Sequence, residues 1–278
     1  MSITTSSSHE KRAHLERILA DLGGTVVAFS GGLDSGYLLH VAARILGDRA
    51  VALTAQSASY PERELQEARA FCAARGVRHV VVDSHEIDDP GYAQNPTNRC
   101  YFCKSELFRI TDRYAVELGV HTVCYGAITD DLGDHRPGMV AAREHEVRAP
   151  LVEAGLSKVE IRALAKEEGV ELWDKPSFAC LSSRFPYGTS ITPERLRQVD
   201  QVESAVREMG FRQLRARYHA DLVRLEVLPM DIVRLAEPGV REAVVRVCRA
   251  AGFTHVSLDL VGYRSGSLNE SLPIVTAD

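Results

Sequence analysis

Two kinds of residue in this sequence could do chemistry: a glycine-rich turn that could hold an anion, and cysteines whose sulfur could react or bind a metal. The turn is Ser30, Gly31, Gly32, Leu33, Asp34 and Ser35, within TVVAFSGGLDSGYLLHVAARIL. Adjacent glycines let the backbone approach an anion and aim several N–H groups at it. A helix starting there adds the positive end of its dipole. Ser30 and Ser35 add hydroxyl donors. The pattern is a phosphate cradle. It is not a Walker A loop, because no Lys-Ser/Thr follows, and it is not GxGxxG, because its glycines are adjacent. Asp34 would place a carboxylate beside the phosphates, and such a pair calls for a metal ion.

The six cysteines are Cys72, Cys100, Cys103, Cys124, Cys180 and Cys248. Cys100 and Cys103 form a CxxC in NRCYFCK at the start of a helix. Lys104 and the helix N-terminus would both favour thiolates there. One CxxC is half of a zinc site, and no second CxxC or HxxxH completes it. Cys180 lies in DKPSFACLSSR, a polar loop between Lys175 and Arg184 with Ser177, Ser182 and Ser183 around it. An inert cysteine sits on an apolar face, as Cys72 and Cys248 do in helix patterns and Cys124 does in a strand pattern. A further loop, DDLGDHRPG, gathers Asp130, Asp131, Asp134, His135 and Arg136 just past a strand.

The elements that must position these residues alternate. The chain has 278 residues, 45% hydrophobic and 26% charged, enough for one large or two smaller soluble domains. A helix over residues 9–22 leads in after a disordered start at residues 1–8. TVVAFS, RAVALTA, VRHVVVD, HTVCYGA and EVRAPL read as strands. Residues 35–46, PERELQEARAFCAAR, KSELFRITDRYAVELG and SKVEIRALAKEEG read as helices. In the last of these, Ser157 and Glu160 form a capping box. Short apolar strands alternating with amphipathic helices imply an α/β fold, a parallel sheet sandwiched by helices. Ligands of such sheets bind at the carboxyl ends of the strands, where SGGLDS falls. The pattern changes near residue 188. There an αββαβ order, with a hairpin around His219-Ala220-Asp221, implies a smaller C-terminal α+β domain. The expected division is residues 1–187 and 188–278, with a linker over residues 185–190.

Net charge is -5, so charge gives no support to nucleic-acid binding. No apolar run reaches the roughly 18 residues of a membrane span, and the N-terminus lacks a signal pattern. A cytoplasmic setting with reduced cysteines is the expectation.

The six residues SGGLDS resemble the pyrophosphate loop (PP-loop) of the N-type ATP pyrophosphatases, enzymes of the adenine nucleotide alpha hydrolase-like fold. Seven stretches in order extend the resemblance over nearly the whole chain: FSGGLDS, NRCYFCK, DDLGDHRPG, VRAPL, KPSFACLSSR, RARYHADLVRLEV and LDLVGYRSGSLNE. Together they resemble the LarE-type ATP-dependent sulfur transferases. That resemblance implies adenylation of a carboxylate of pyridinium-3,5-biscarboxylate mononucleotide, then conversion to a thiocarboxylate. The product feeds the nickel-pincer nucleotide cofactor of lactate racemase. It implies ATP on Ser30, Gly31, Gly32 and Ser35, with Asp34 helping to hold Mg2+. It implies Arg215 and Arg217 as ligands of the substrate phosphate; two residues apart on a strand, they share a face. Arg264 in GYRSGS is a further anion contact, and Glu203 matches a metal-binding carboxylate. It also implies a homo-oligomer, hexamers being described in the family.

The family divides by sulfur source. One type gives up the sulfur of a lone cysteine at the position of Cys180. The other holds a [4Fe-4S] cluster on three cysteines, here Cys100, Cys103 and Cys180, and that type is expected, with a sulfide donor system as a further partner. Gly36-Tyr37 departs from the hydroxyl residue expected after the loop. A tRNA thiolase of the same superfamily is a rival, against which the net charge speaks. A nucleotide sensor without catalysis would have no use for Cys180 in a polar loop. An amidotransferase-type synthetase would need an ammonia-delivering domain that this length does not hold.

Overall fold

The computed structural model describes residues 7–132, 137–264 and 266–268. They form two compact units: Met1–Asp89 with Asn98–Phe178, and Pro90–Thr97 with Ala179–Asp278. The division thus falls earlier than the linker expected at residues 185–190. Residues 179–187 belong with the second unit because its own segments hold them. The Asn95 side chain donates to the carbonyls of Phe185 and Pro186, and Tyr92 and Ser182 share a hydroxyl hydrogen bond of 2.5 Å.

The first unit is the α/β sandwich expected from the alternating pattern. Strands β1 (Thr25–Ala28), β2 (Ala50–Gln56), β3 (Arg78–Asp83) and β4 (Val123–Tyr125) form a sheet in the order β3-β2-β1-β4. Every pairing is parallel. Its helices are α1 (Ser8–Leu22), α2 (Leu33–Leu46), α3 (Glu62–Ala74), α5 (Arg99–Glu117), α6 (Pro137–Glu144), α7 (Pro150–Glu153) and α8 (Lys158–Glu167); α4 (Pro90–Ala93) belongs to the second unit. β1 reads as a continuous apolar run because both of its faces are covered. Val27 packs with Leu15 of α1, Leu38 of α2 and Leu164 of α8. Val26 packs on the other side with Phe108 of α5 and Ala141 of α6. The chain leaves β1 for β2 on one side, while β4 lies on its other side. The turn after β1 therefore sits where the strand order reverses, the place at which such sheets bind ligands.

EVRAPL does not become a fifth strand. Arg148 makes a single bridge to Cys124, and the chain then turns into α7. Pro150 has no N–H to give a ladder and fits the first turn of a helix, so the pairing stops after one residue. The helix expected from residue 104 instead begins at Arg99 and takes in both cysteines of the CxxC. The capping box of α8 is as expected, with Ser157 accepting from the Glu160 amide and Glu160 from that of Ser157.

The second unit carries α9 (Pro193–Glu208), β5 (Leu214–His219), β6 (Leu222–Val227), α10 (Ile232–Ala236), α11 (Pro238–Ala250) and β7 (His255–Leu258). Its sheet runs β5-β6-β7. β5 and β6 form the expected antiparallel hairpin, turned at Ala220 with φ +58°, and β7 joins β6 in parallel. Among the described residues of both units, no helix is long and apolar enough to cross a membrane.

One ion cluster fastens α2, the helix of the glycine turn. The Glu168 carboxylate, at the end of α8, accepts from Tyr37 and Arg44 of α2 and Arg12 of α1, with His40 of α2 at 3.3 Å. Burial alone would raise its pKa. His40, Tyr37, Arg12 and Arg44 outweigh burial and bring it from the ordinary 4.5 to about 2. A depressed folded-state pKa gives stability that is complete above the unfolded value and lost as pH falls through the folded one. Glu168→Gln is therefore expected to be less stable than the parent near neutral pH, with the gap closing between about pH 4.5 and 2. Urea midpoints along that pH series check this; a constant gap would contradict it.

Candidate active site

The turn after β1 is built as an anion cradle. Gly31 has φ +71°, a left-handed conformation that a side chain would strain. Gly32 is the N-cap of α2 and makes no side-chain cap hydrogen bond, so the first amides of the helix have no internal acceptor there. The Ser35 hydroxyl lies 3.1 Å from that of Ser30 and accepts from the Ser30 amide at 3.2 Å. These contacts fold the loop back on the helix start. Two side chains hold it from outside. Tyr60 donates to the Ser30 carbonyl at 3.0 Å. Lys175 donates to the Gly31 carbonyl at 2.9 Å while paired with Glu64 and Glu67. Burial, then Glu64 and Glu67, push the Tyr60 pKa up, so its hydroxyl stays a donor.

Asp34 faces a lysine. Both of its carboxylate oxygens accept from Lys158, at 2.8 Å each. Burial raises the Asp34 pKa above its ordinary value, and Lys158 opposes that shift. The pair sets one cation beside a cradle whose amides favour anions. Neither lysine stands out in the sequence. Lys158 reads as an exposed residue after a helix cap. Lys175 reads as part of the polar surround of Cys180, yet it belongs to the first unit and is spent on Gly31, Glu64 and Glu67.

A third unremarked residue is Gly126, directly after β4. A Cβ there would lie 2.6 Å from the Ser35 amide nitrogen and 2.8 Å from its Cα. The strand beside β1 can thus approach the cradle only with glycine at this point. Gly36 has a parallel reason. A Cβ there would meet the Leu172 Cδ1 at 2.2 Å, so the hydroxyl residue expected after the loop would require the Leu172 side chain to move. Tyr37 buries its ring and gives its hydroxyl to Glu168 instead.

Cys100 and Cys103 lie one helical turn apart at the start of α5, Cys100 exposed and Cys103 half-buried. The end of DDLGDHRPG packs against them. A Cβ on Gly138 would meet the Lys104 side chain at 2.9 Å and the Cys100 carbonyl at 3.6 Å. Asp130 accepts from the Lys158 amide and Asp131 from that of Ile128. Asp134, His135 and Arg136 lie outside the described residues. Cys72, Cys124 and Cys248 are core residues as expected, their thiols pushed up by burial to about 12, 12 and 11.

The second unit holds Cys180 and the arginines. Cys180 is half-buried and unbridged. Arg184, four residues on, is fully buried and forms a two-pronged pair with fully buried Glu203, both contacts at 2.8 Å. Burial would raise the Glu203 pKa, but Arg184, Arg207 and Arg215 bring it to about 2. Glu203 also accepts from Arg207 and from the Ala216 amide. Its carboxylate is therefore the anion of a cluster of arginines. Arg215 is buried over the Tyr263 ring at 4.9 Å and donates to the Leu214 carbonyl. Burial, then the Arg184 charge, press its pKa down. Arg217 donates to the Ser183 carbonyl, to Glu226 and to the Ser267 hydroxyl. Arg264 is half-buried and donates to the Gly262 carbonyl at 3.4 Å. Among the described residues, no group of three His, Cys, Asp or Glu side chains is gathered to hold a metal ion.

A parallel sheet with a PP-loop cradle at its switch point defines an α/β enzyme that handles a nucleotide phosphate. No family model matches the chain. It is 35% identical over 264 residues to the pyridinium-3,5-bisthiocarboxylic acid mononucleotide synthase of Lactiplantibacillus plantarum, covering 94% of this chain and 95% of that protein. It is 42% identical over 262 residues to an uncharacterized protein of Synechocystis, covering 94% and 98%. An uncharacterized protein of Methanocaldococcus jannaschii is 25% identical over 240 residues, covering 86% and 90%. The chain belongs to the LarE-type family of ATP-dependent sulfur transferases.

The close approach at Gly126 yields a direct check. Gly126→Ala is expected to lower stability by about 1–3 kcal/mol, because the Cβ meets backbone that cannot yield without moving the loop. Gly239→Ala, where a Cβ would meet nothing within 4 Å, is expected to stay within about 0.5 kcal/mol. Denaturant unfolding of the two variants separates them; equal effects would contradict the packing argument.

Proposed function

We propose that this enzyme uses ATP to adenylate a carboxylate of pyridinium-3,5-biscarboxylate mononucleotide and then replaces AMP with sulfur, giving a thiocarboxylate. The substrate carries two carboxylates, so two rounds complete it. The observation that carries this reading is the cradle at Ser30–Ser35, with a left-handed glycine, an uncapped helix start and a cation at Asp34, in a chain similar over its length to a synthase named for the bisthiocarboxylic product.

The loop amides and the hydroxyls of Ser30 and Ser35 take the phosphates of ATP. Asp34 is the carboxylate proposed to hold Mg2+, since carboxylate oxygens suit a hard cation that would offset phosphate charge. Were Asp34 to hold that ion, Lys158, its present partner, would be a cation able to pair with a phosphate. A substrate carboxylate oxygen attacks the α-phosphorus and pyrophosphate leaves. The acyl group now bears AMP, a good leaving group. A sulfur nucleophile forms the C–S bond, and AMP departs with the former carboxylate oxygen. The site contributes position and charge stabilisation rather than covalent work in the first step. Arg215 and Arg217 are the guanidinium groups proposed for the substrate phosphate. Both are engaged with protein acceptors or an aromatic ring in this structure, so substrate would have to compete with or extend those contacts.

Cys180 handles the sulfur. Cys100, Cys103 and Cys180 are unbridged thiols that are not fully buried, the donor type that suits an iron–sulfur cluster. We propose these three as ligands of a [4Fe-4S] cluster, which when bound would supply an extra sulfide for the transfer. Without a cluster, the Cys180 thiolate would displace AMP to give a thioester, and loss of the Cys180 Cα proton would then cleave its Cβ–Sγ bond, releasing the thiocarboxylate and leaving dehydroalanine. The thiocarboxylate is the form needed by a nickel-pincer cofactor, and that is its proposed destination.

Two variants check the division of labour. Asp34→Ala is expected to abolish AMP and pyrophosphate formation while leaving the melting curve intact; normal turnover would overturn the role of the cradle. Cys180→Ser is expected to form AMP and pyrophosphate yet release no thiocarboxylate. Product made by that variant would remove Cys180 from sulfur transfer.

A further inference from the structure

The Cys180 loop has little regular structure of its own: a short 3-10 turn over Leu181–Arg184 follows the cysteine. Its backbone is nevertheless held at three carbonyls by two buried arginines. The Arg184 Nη1 donates to the Ala179 carbonyl at 2.7 Å, the Cys180 carbonyl at 3.1 Å and the Ser183 hydroxyl at 2.8 Å. Arg217 donates to the Ser183 carbonyl at 2.7 Å. The other edge of the Arg184 guanidinium is fixed by Glu203 on α9, and Glu203 is in turn fixed by the Ala216 amide of β5. A fully buried arginine is uncommon and costly unless every charge is met. Here one planar fork joins the cysteine's own carbonyl to a helix and a strand of the same unit.

We propose that Arg184, locked by Glu203, is a positioning residue for sulfur transfer: it fixes the backbone of Cys180 to the rigid frame of α9 and β5. The inference rests on Cys180 as the sulfur-handling residue. It also gives Glu203 a role in this chain that needs no metal ion. Lysine at position 184 could keep the charge and one contact to Glu203. It could not also reach the Ala179 and Cys180 carbonyls, because it lacks the planar five-donor fork. A loop freed in this way would leave the sulfur misplaced at the acyl group, while the ATP cradle on the first unit keeps all its own contacts.

The test is Arg184→Lys in the full chain, read in two independent ways. The first is backbone amide exchange by mass spectrometry. Exchange is expected to rise about tenfold or more over Ala179–Arg184 only, with α9 and the β5–β6 hairpin unchanged. The second is product analysis. AMP and pyrophosphate formation is expected to stay within about twofold, while thiocarboxylate formation falls about tenfold or more. Unchanged exchange in the loop, or unchanged sulfur transfer by a variant with a loosened loop, would overturn the proposal. A rise in exchange across the whole second unit would also overturn it, since the pair would then be a core support rather than a positioning device. If the parent protein forms no thiocarboxylate, the functional reading fails, and the exchange measurement still decides the role of Arg184. Should Arg184→Lys not fold, Glu203→Asp withdraws the carboxylate by one methylene at constant charge. It is expected to raise exchange over Ala179–Arg184 about threefold, together with that of the Ala216 amide that Glu203 also holds, and parental exchange and transfer in it would overturn the proposal.

Discussion

The cradle works only if backbone amides can converge where no side chain intrudes. That constraint shapes the first unit. It places glycine at position 31, where φ is +71°, and at position 126, where a Cβ would strike the Ser35 backbone. It explains why the loop is held through its carbonyls, by Tyr60 and Lys175, and by the Ser30 amide on the Ser35 hydroxyl. It also explains the hold on α2: Glu168 gathers Tyr37, His40 and Arg44 from that helix, so the helix that starts at the glycine turn is fastened from behind. A preorganised donor set stabilises developing charge without rearranging during the reaction.

The second unit answers a different problem. In the proposed reaction sulfur comes from the Cys180 loop, and loops are mobile unless something fixes them. Arg184, Arg207 and Arg217 are set around Glu203 and Glu226, nearly all of them buried. Such buried pairs are weak sources of stability, because desolvation takes back much of the attraction. Breaking one is nevertheless severe, since it strands the partner. An arrangement of that kind holds a geometry more than it raises a melting temperature.

Much of this was legible in the sequence, and the rest was hidden for physical reasons. The glycine turn, the capping box at Ser157 and the hairpin at Ala220 are local patterns, set within a few residues of chain, and the structure follows them. The cysteines that read as core residues are buried, and Cys180 is not. The partnership of Lys158 with Asp34 spans 124 residues and leaves no local trace. Arg184 was visible only as a charge beside a cysteine; its complete burial depends on α9 and β5, which no pattern around residue 184 announces. The strand expected over EVRAPL failed because one proline outweighed its apolar and β-branched neighbours. Residues 90–97 joined the second unit through tertiary hydrogen bonds that composition does not report.

The central claim is that ATP activates a carboxylate oxygen of the substrate, so the fate of that oxygen is the most direct measurement. Pyridinium-3,5-biscarboxylate mononucleotide labelled with 18O in its carboxylates would be turned over with unlabelled ATP, and AMP and pyrophosphate analysed by mass spectrometry. The account expects one 18O in each AMP released by sulfur transfer and none in pyrophosphate. Unlabelled AMP formed alongside thiocarboxylate would contradict it, because the oxygen replaced by sulfur would then never have been bonded to the α-phosphorus.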